Sequence, residues 1–319
     1  MTVRWVLLAL PLVACTGRAL PGSGTDGAGA PELGPPLDLA PTVDIRPAAD
    51  LASPSPGWVT VKPGTFLMGS PGEEPCRLPN EELHAVTLGQ AYEIGASEVT
   101  QGEFLQLMGY NPSHFSGCGS GCPVDSVDWS AAAVYSNRLS KQAGLTPCYI
   151  CVSDPGGDYA FPFDCAPRAE YLASIYECPG YRLPTEAEWE RAYRAGTSSA
   201  LSDGPIGSCD DDAKASAIGW YSANAGGQPH EVAGRKPNAW GLYDMAGNLW
   251  EWVNDWYEPD LGSNPATDPA GPSSGQGKVL RGGAWVTGAG SVRAASRNQN
   301  QRFKGLSFVG FRLARTVGP

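Results

Sequence analysis

The stretch 238–256, NAWGLYDMAGNLWEWVNDW, constrains the fold more than any other part of the chain. It crowds Trp240, Trp250, Trp252 and Trp256 around a turn bounded by Gly241 and Gly247. Each fully buried large ring contributes roughly 1.5–3 kcal/mol, so the stretch has to lie at the centre of a core. The glycines permit backbone conformations that other residues resist. Between the rings stand Asp244, Asn248, Glu251 and Asp255, polar groups that must bind a hard cation or satisfy backbone groups if they enter that core.

At 319 residues, 42% hydrophobic and 17% charged, the chain has the composition of a folded globular protein. Its formal net charge of -11 argues against nucleic acid or anionic lipid bound through a broad basic face. The N-terminus reads as an export signal: Arg4, then an apolar run from Trp5 to Ala14 that is too short to span a membrane, ending in Leu12-Val13-Ala14-Cys15. Leu-Val-Ala-Cys resembles the lipobox of bacterial lipoproteins, which implies cleavage before Cys15 and lipidation of that thiol. An ordinary cleaved secretory signal is the alternative, and both readings export the protein. Thr16, standing where an aspartate retains lipoproteins at the inner membrane, favours the outer membrane. The expected location is therefore the bacterial cell envelope, with membrane contact through the N-terminal lipid.

Setting Cys15 aside leaves eight of the nine cysteines, an even number in an oxidising compartment, so disulfides are expected. Cys118-Gly-Ser-Gly-Cys122 has a spacer short and flexible enough to close on itself. Cys148, Cys151, Cys165 and Cys178 are expected to staple one loop region. The Cys148-x-x-Cys151 pair is alternatively a redox or zinc half-site.

Residues 1–15 thus read as the signal and 16–56 as a Pro-, Gly- and Ala-rich tether. A single domain over 57–316 follows. Within it, Thr100-Gln-Gly-Glu103 and Thr185-Glu-Ala-Glu188 are capping boxes that open helices. A third helix is expected from about Ser130 to Ala143, capped by Asp128 or Ser130. Glu186, Glu188 and Glu190 suit capping or salt bridges better than an acid/base pair. Short strands and long loops fill the rest, an α+β pattern. Cys209-Asp210-Asp211-Asp212 reads as a solvated acidic loop.

The segments TFLMGS (65–70), EELHAVTL (81–88), EIGASEVTQGEF (93–104), NPSHF (111–115), YRLPTEAEWERAYRAG (181–196), NAWGLYDMAGNLWEW (238–252), VLRGGAW (279–285) and VGFRLA (309–314) stand in one order. Together they resemble the formylglycine-generating enzyme, or sulfatase-modifying factor, family. The resemblance implies a variant of the C-type-lectin fold. It also implies oxidation of a cysteine in a sulfatase peptide, using O2 and copper(I) held by two thiolates. Those thiolates correspond here to Thr287 and Val292, and no cysteine follows Cys209. Copper(I) selects soft thiolate ligands, so no copper is expected. A related branch, the ergothioneine-type oxygenases, holds iron through H-x3-H-x-E, a pattern that His84, His114 and His230 do not form.

The family also implies structural calcium. One site would use the carbonyls of Ala246, Gly247 and Leu249 with the carboxylate of Glu251, a set of oxygens at relaxed geometry. A second would use Asn224 and the Ala225 carbonyl with an Asp of a later loop, which is shortened here to Gly226-Gly-Gln-Pro-His230. Glu251 and Asn248 can instead simply hydrogen-bond the turn. The segment 285–308 resembles the ligand-binding segment of lectin-fold relatives, which makes Trp285, Arg293, Arg297 and Asn298 the candidate ligand-binding residues. Internal ion pairing of Arg293 and Arg297 with carboxylates near Asp244 or Glu251 is the competing role. The expected function is an envelope-anchored, non-copper binding or accessory module for a peptide, protein or glycan. The alternative is a protein-modifying oxidoreductase acting on a cysteine-containing peptide.

Overall fold

The structure, a computed structural model, describes residues 57–153 and 163–317; the signal, Cys15 and the tether lie outside them. In chain order the strands are β1 (Trp58–Val61), β2 (Gly64–Met68), β3 (His84–Leu88), β4 (Tyr92–Gly95), β5 (Tyr149–Ser153), β6 (Phe163–Pro167), β7 (Gly219–Trp220), β8 (Ala246–Gly247), β9 (Trp250–Trp256), β10 (Ala266–Thr267), β11 (Lys278–Arg281), β12 (Arg297–Asn300), β13 (Val309–Phe311) and β14 (Ala314–Thr316). The α-helices are α1 (Gln101–Met108), α2 (Trp129–Gln142), α3 (Glu186–Arg194) and α4 (Ala213–Ile218). Few helices and many short strands make this a mixed α+β fold, as expected.

The strands form small separate sheets in the orders β1-β4-β14, β10-β3-β2, β12-β11-β9-β13, β5-β6 and β7-β8. β1 and β2 follow one another in sequence yet join different sheets, since β1 pairs with β4 and β2 with β3. The centre is β9, buried along its length except at Trp256. A strand covered on both faces reads as a nearly continuous apolar run. The two carboxylates that interrupt it, Glu251 and Asp255, therefore need internal partners. Trp252 donates from Nε1 to the carbonyl of Val127 at 2.8 Å, and Trp129 of α2 donates from Nε1 to Val253 at 2.8 Å. Helix and strand are thereby locked in one register.

Both capping boxes are formed, at Thr100/Glu103 and Thr185/Glu188. Helix α2 is capped by Asp128, whose carboxylate accepts from the Ala131 N–H. Helix α3 ends on Ala195 and Gly196 in the left-handed region, which satisfies its last carbonyls. Helix α4 was not anticipated: Asp212, read as part of a solvated acidic loop, is its N-cap and accepts from Lys214 and Ala215.

The disulfides are Cys76–Cys209, Cys118–Cys122, Cys148–Cys178 and Cys151–Cys165. Cys118–Cys122 closes on itself and the 148–178 region is doubly stapled, which removes the redox and zinc reading of Cys148 and Cys151. The long link is Cys76–Cys209, with a sequence separation of 133. A loop of that size stabilises by about 4–5 kcal/mol in the chain-entropy account. The Cys76→Ala, Cys209→Ala double variant is accordingly expected to lose several kcal/mol in denaturant unfolding. Loss of the local Cys118–Cys122 link, measured the same way, should weigh much less.

Candidate ligand-binding site

The candidate site is built on the turn that leaves β11. Gly282 and Gly283 have φ of 98° and 74°. A Cβ on Gly283 would stand 2.7 Å from the Ser291 carbonyl and from Val292 Cγ1, so the turn can pack only as glycine. It delivers Trp285, whose N–H donates to the Asn248 carbonyl at 2.9 Å and whose Nε1 donates to Ser307 at 3.3 Å. The ring of Phe115 meets that of Trp285 edge to face, with centroids 5.3 Å apart. Phe115 is itself set by the Asp125 carboxylate, which accepts from the N–H groups of His114 and Phe115. Half-buried Trp285 and Phe115, with exposed His114 and Val286, make an aromatic shelf on the surface.

The other candidate residues do not join it as expected. Arg293 is fully buried and its fork holds Glu81 bidentately and Glu74 at 2.7 Å, with a further bond to the Cys76 carbonyl. Arg297 is buried against Glu186, donates to the carbonyls of Asn80 and Glu258, and lies over the Tyr257 ring. Both arginines are scaffold, and their partners are not the carboxylates near Asp244 or Glu251. A guanidinium taken out of water must be paired, and the Glu74–Glu81 loop and α3 supply the pairs. Asn298 is exposed on β12, where its Oδ1 accepts from the Gln299 N–H.

The two positions that the resemblance assigns to copper thiolates are equally committed. Thr287 Oγ1 donates to the Ala284 carbonyl and accepts from the Ala284 N–H, both at 3.0 Å. Val292 is fully buried. All eight cysteines of the described residues are in disulfides, so those residues offer no thiolate to a soft metal.

Glu251 and its surroundings do not fit the expected calcium either. Arg312 grips both carboxylate oxygens at 2.7 Å, and Trp189 Nε1 donates to Oε2 at 2.8 Å. A divalent ion there would have to displace a fully buried guanidinium, leaving it unpaired. In the second proposed set, Asn224 Oδ1 accepts from the Tyr221 N–H and the Ala225 carbonyl bonds His230 Nε2 at 2.8 Å. Among the described residues no group of three or more His, Cys, Asp or Glu is placed to hold a metal ion. His84, buried, bonds the Glu82 carbonyl through Nδ1.

Behind the shelf lies a network that connects it to the core. Asn248, at φ 58°, donates to Glu98 and to the His230 carbonyl and accepts from the His230 N–H. His230 stacks on Trp220, over which Arg235 also lies. Glu98, Asp244 and Glu251 are all buried near Arg312. Burial pushes the Glu98 carboxyl well above its ordinary range, reinforced by Asp244 and Glu251. Burial also raises Asp244 to about 6, against bonds from Ala233 and attraction to Arg312. Oδ1 of Asp244 is buried with no hydrogen-bond partner.

The comparisons with known proteins agree with this architecture. The family model for a sulfatase-modifying factor enzyme 1-like domain matches residues 45–317, and the chain belongs to that family. Among curated relatives, the serine/threonine-protein kinase pkn1 of Chlamydia pneumoniae is 30% identical over 263 residues, 81% of this chain and 38% of the kinase. The formylglycine-generating enzyme of Streptomyces coelicolor is 34% identical over 154 residues, 42% of this chain and 46% of the enzyme. The chain thus spans less than half the length of either. Among solved structures, Treponema denticola variable protein 1 superposes with a TM-score of 0.68 at 32% identity, covering 82% of this chain and 95% of that one.

Two outcomes follow from the buried charges. Asp244 has its folded pKa raised above its ordinary value of about 3.9, so its contribution to stability is complete below about pH 4 and is lost as pH rises through about 6. Asn tolerates the φ of 55°, and Asp244→Asn is expected to raise stability by on the order of 1–2 kcal/mol at about pH 7.5 and to be nearly silent at about pH 3.5, below the ordinary value, read by urea unfolding at the two pH values. Chelation with EDTA is expected to leave the melting temperature unchanged, because Arg312 rather than calcium neutralises Glu251. A fall on chelation that Glu251→Gln abolishes would restore the calcium site.

Proposed function

We propose that the chain is an envelope-anchored member of this family that binds a peptide or glycan at the Trp285 shelf and carries out no copper oxidation. The supporting observation is the chemistry of positions 287 and 292: a hydroxyl committed to its own turn and a buried valine. The shelf supports the binding half of the reading. Trp285 and Phe115 hold each other rigidly, and large rigid amphipathic rings offer contact area at low entropic cost. Exposed Val286, 46% accessible, and His114 extend the shelf with one apolar and one polar edge.

The anchoring half rests on the Leu12-Val13-Ala14-Cys15 sequence and on the eight paired cysteines, which suit an oxidising compartment. Lipidation of Cys15 places the domain at a membrane through its tether, and Thr16 directs it to the outer one. Single acyl chains bind weakly and reversibly, so stable anchoring takes more than one.

Two measurements bear on this. Incubated with copper(I), air and a cysteine-containing sulfatase-type peptide, the protein is expected to leave the peptide mass unchanged; formylglycine formation, seen by mass spectrometry, would establish the oxidoreductase reading instead. In cells fed an alkyne-tagged fatty acid, the wild-type chain should take up label and Cys15→Ser should not. Label retained in that variant removes the anchor.

A further inference from the structure

We infer a second binding site: the cleft between the start of β1 and the C-terminal halves of α1 and α2 takes an oligosaccharide of two or three rings. The cleft has a volume of about 800 Å³ and shares no residue with the Trp285 shelf. That volume lies in the range of small-molecule sites, roughly 300–1,000 Å³.

Its wall is a pair of half-buried rings. Trp58 and Tyr181 pack with centroids 5.2 Å apart and planes tilted by 42°. Trp58 is fixed by its place in β1 opposite Gly95, and Tyr181 by Arg315 over its ring at 5.4 Å. Aromatic faces carry partial negative charge and attract the polarised C–H face of a pyranose.

The polar lining divides into groups already used and groups left over. Glu103 is bound to Thr100 in the capping box of α1. Arg138 donates to the carbonyls of Leu107 and Met108 at the end of α1, which holds the two helices at a fixed spacing. Gln106, Lys141 and Gln142 line the same cleft and are exposed, and their side chains make no hydrogen bond or ion pair among the described residues. A primary amide presents donors and an acceptor together, and so does a sugar hydroxyl. Two such amides beside an aromatic wall suit a polyhydroxylated ligand better than a proline-rich peptide, which displays few donors. The Lys141 ammonium adds a preference for a ring bearing a carboxylate, because among the described lining residues the solvent-facing acid, Glu103, is committed to its helix.

The test is isothermal titration of the full chain with trigalacturonate and with chitotriose. Saturable binding of at least one is expected, stronger for trigalacturonate. It should weaken about tenfold or more, roughly 1.4 kcal/mol, in Trp58→Ala and in Gln142→Ala, and stay unchanged in Trp285→Ala. Gln142 is exposed on α2, so its variant separates loss of binding from loss of fold. Lys141→Ala should narrow the difference between the two sugars, with Arg138 left as the remaining cation of the lining. No saturable binding of either probe overturns the site, as does binding that falls in Trp285→Ala and survives in Trp58→Ala and Gln142→Ala. Displacement of the sugars by a synthetic peptide of residues 47–56 would assign the cleft to the chain's own tether and equally overturn it.

Discussion

Helix α3 carries three buried glutamates, and each holds an arginine from another part of the chain. Glu186 binds Arg297 of β12, Glu188 binds Arg182 bidentately at 2.7 and 2.8 Å, and Glu190 binds Arg194 and Arg281 of β11. Glu190 also accepts from the Gly69 N–H, at the end of β2. Burial works against ionisation of Glu186, but Arg297 and Arg281 outweigh it and hold the carboxyl below its ordinary range. Charges removed from water at this depth are tolerable only when every one is matched. The small sheets share few direct strand contacts, so this matching orients β2, β11 and β12 about one helix. Asp255 of β9 completes the arrangement by accepting from the Glu186 N–H at the start of α3. Burial lifts that carboxyl to about 8, with Glu186 adding to the effect.

The same matching decides what the surface has left for function. Arg293, Arg297 and Arg312 are internal, so the segment after Trp285 presents an aromatic shelf rather than a basic groove. Asn248 joins shelf and core, since its carbonyl holds Trp285 while its amide holds Glu98. A ligand that moves Trp285 is therefore mechanically connected to the carboxylate cluster around Arg312. At the positions where the resemblance would put thiolates, Thr287 serves its own turn and Val292 the core.

Much of the fold was legible in the sequence because it depends on local rules. The capping boxes at Thr100 and Thr185 and the self-closing Cys118–Cys122 each involve residues a few positions apart. The tryptophans of 238–256 announce burial by size alone. What was not legible depends on long-range pairing. Arg293 and Glu81 are 212 residues apart, and Arg297 and Glu186 are 111 apart; a cluster of arginines and amides near the C-terminus looks the same whether it faces solvent or core. Asp212 was missed as a cap because the apolar pattern of α4 is only six residues long. The cleft at Trp58 was invisible for the same reason, since Trp58, Gln106 and Tyr181 meet only in the fold.

The central claim is that the C-terminal arginines are structural and matched by glutamates. A double-mutant cycle on Arg297 and Glu186, read by urea unfolding, tests it most directly. Arg297→Met and Glu186→Met should each destabilise by about 3–5 kcal/mol, and the double variant should recover most of that loss. Additive losses, or an Arg297→Met variant as stable as the wild type, would contradict it.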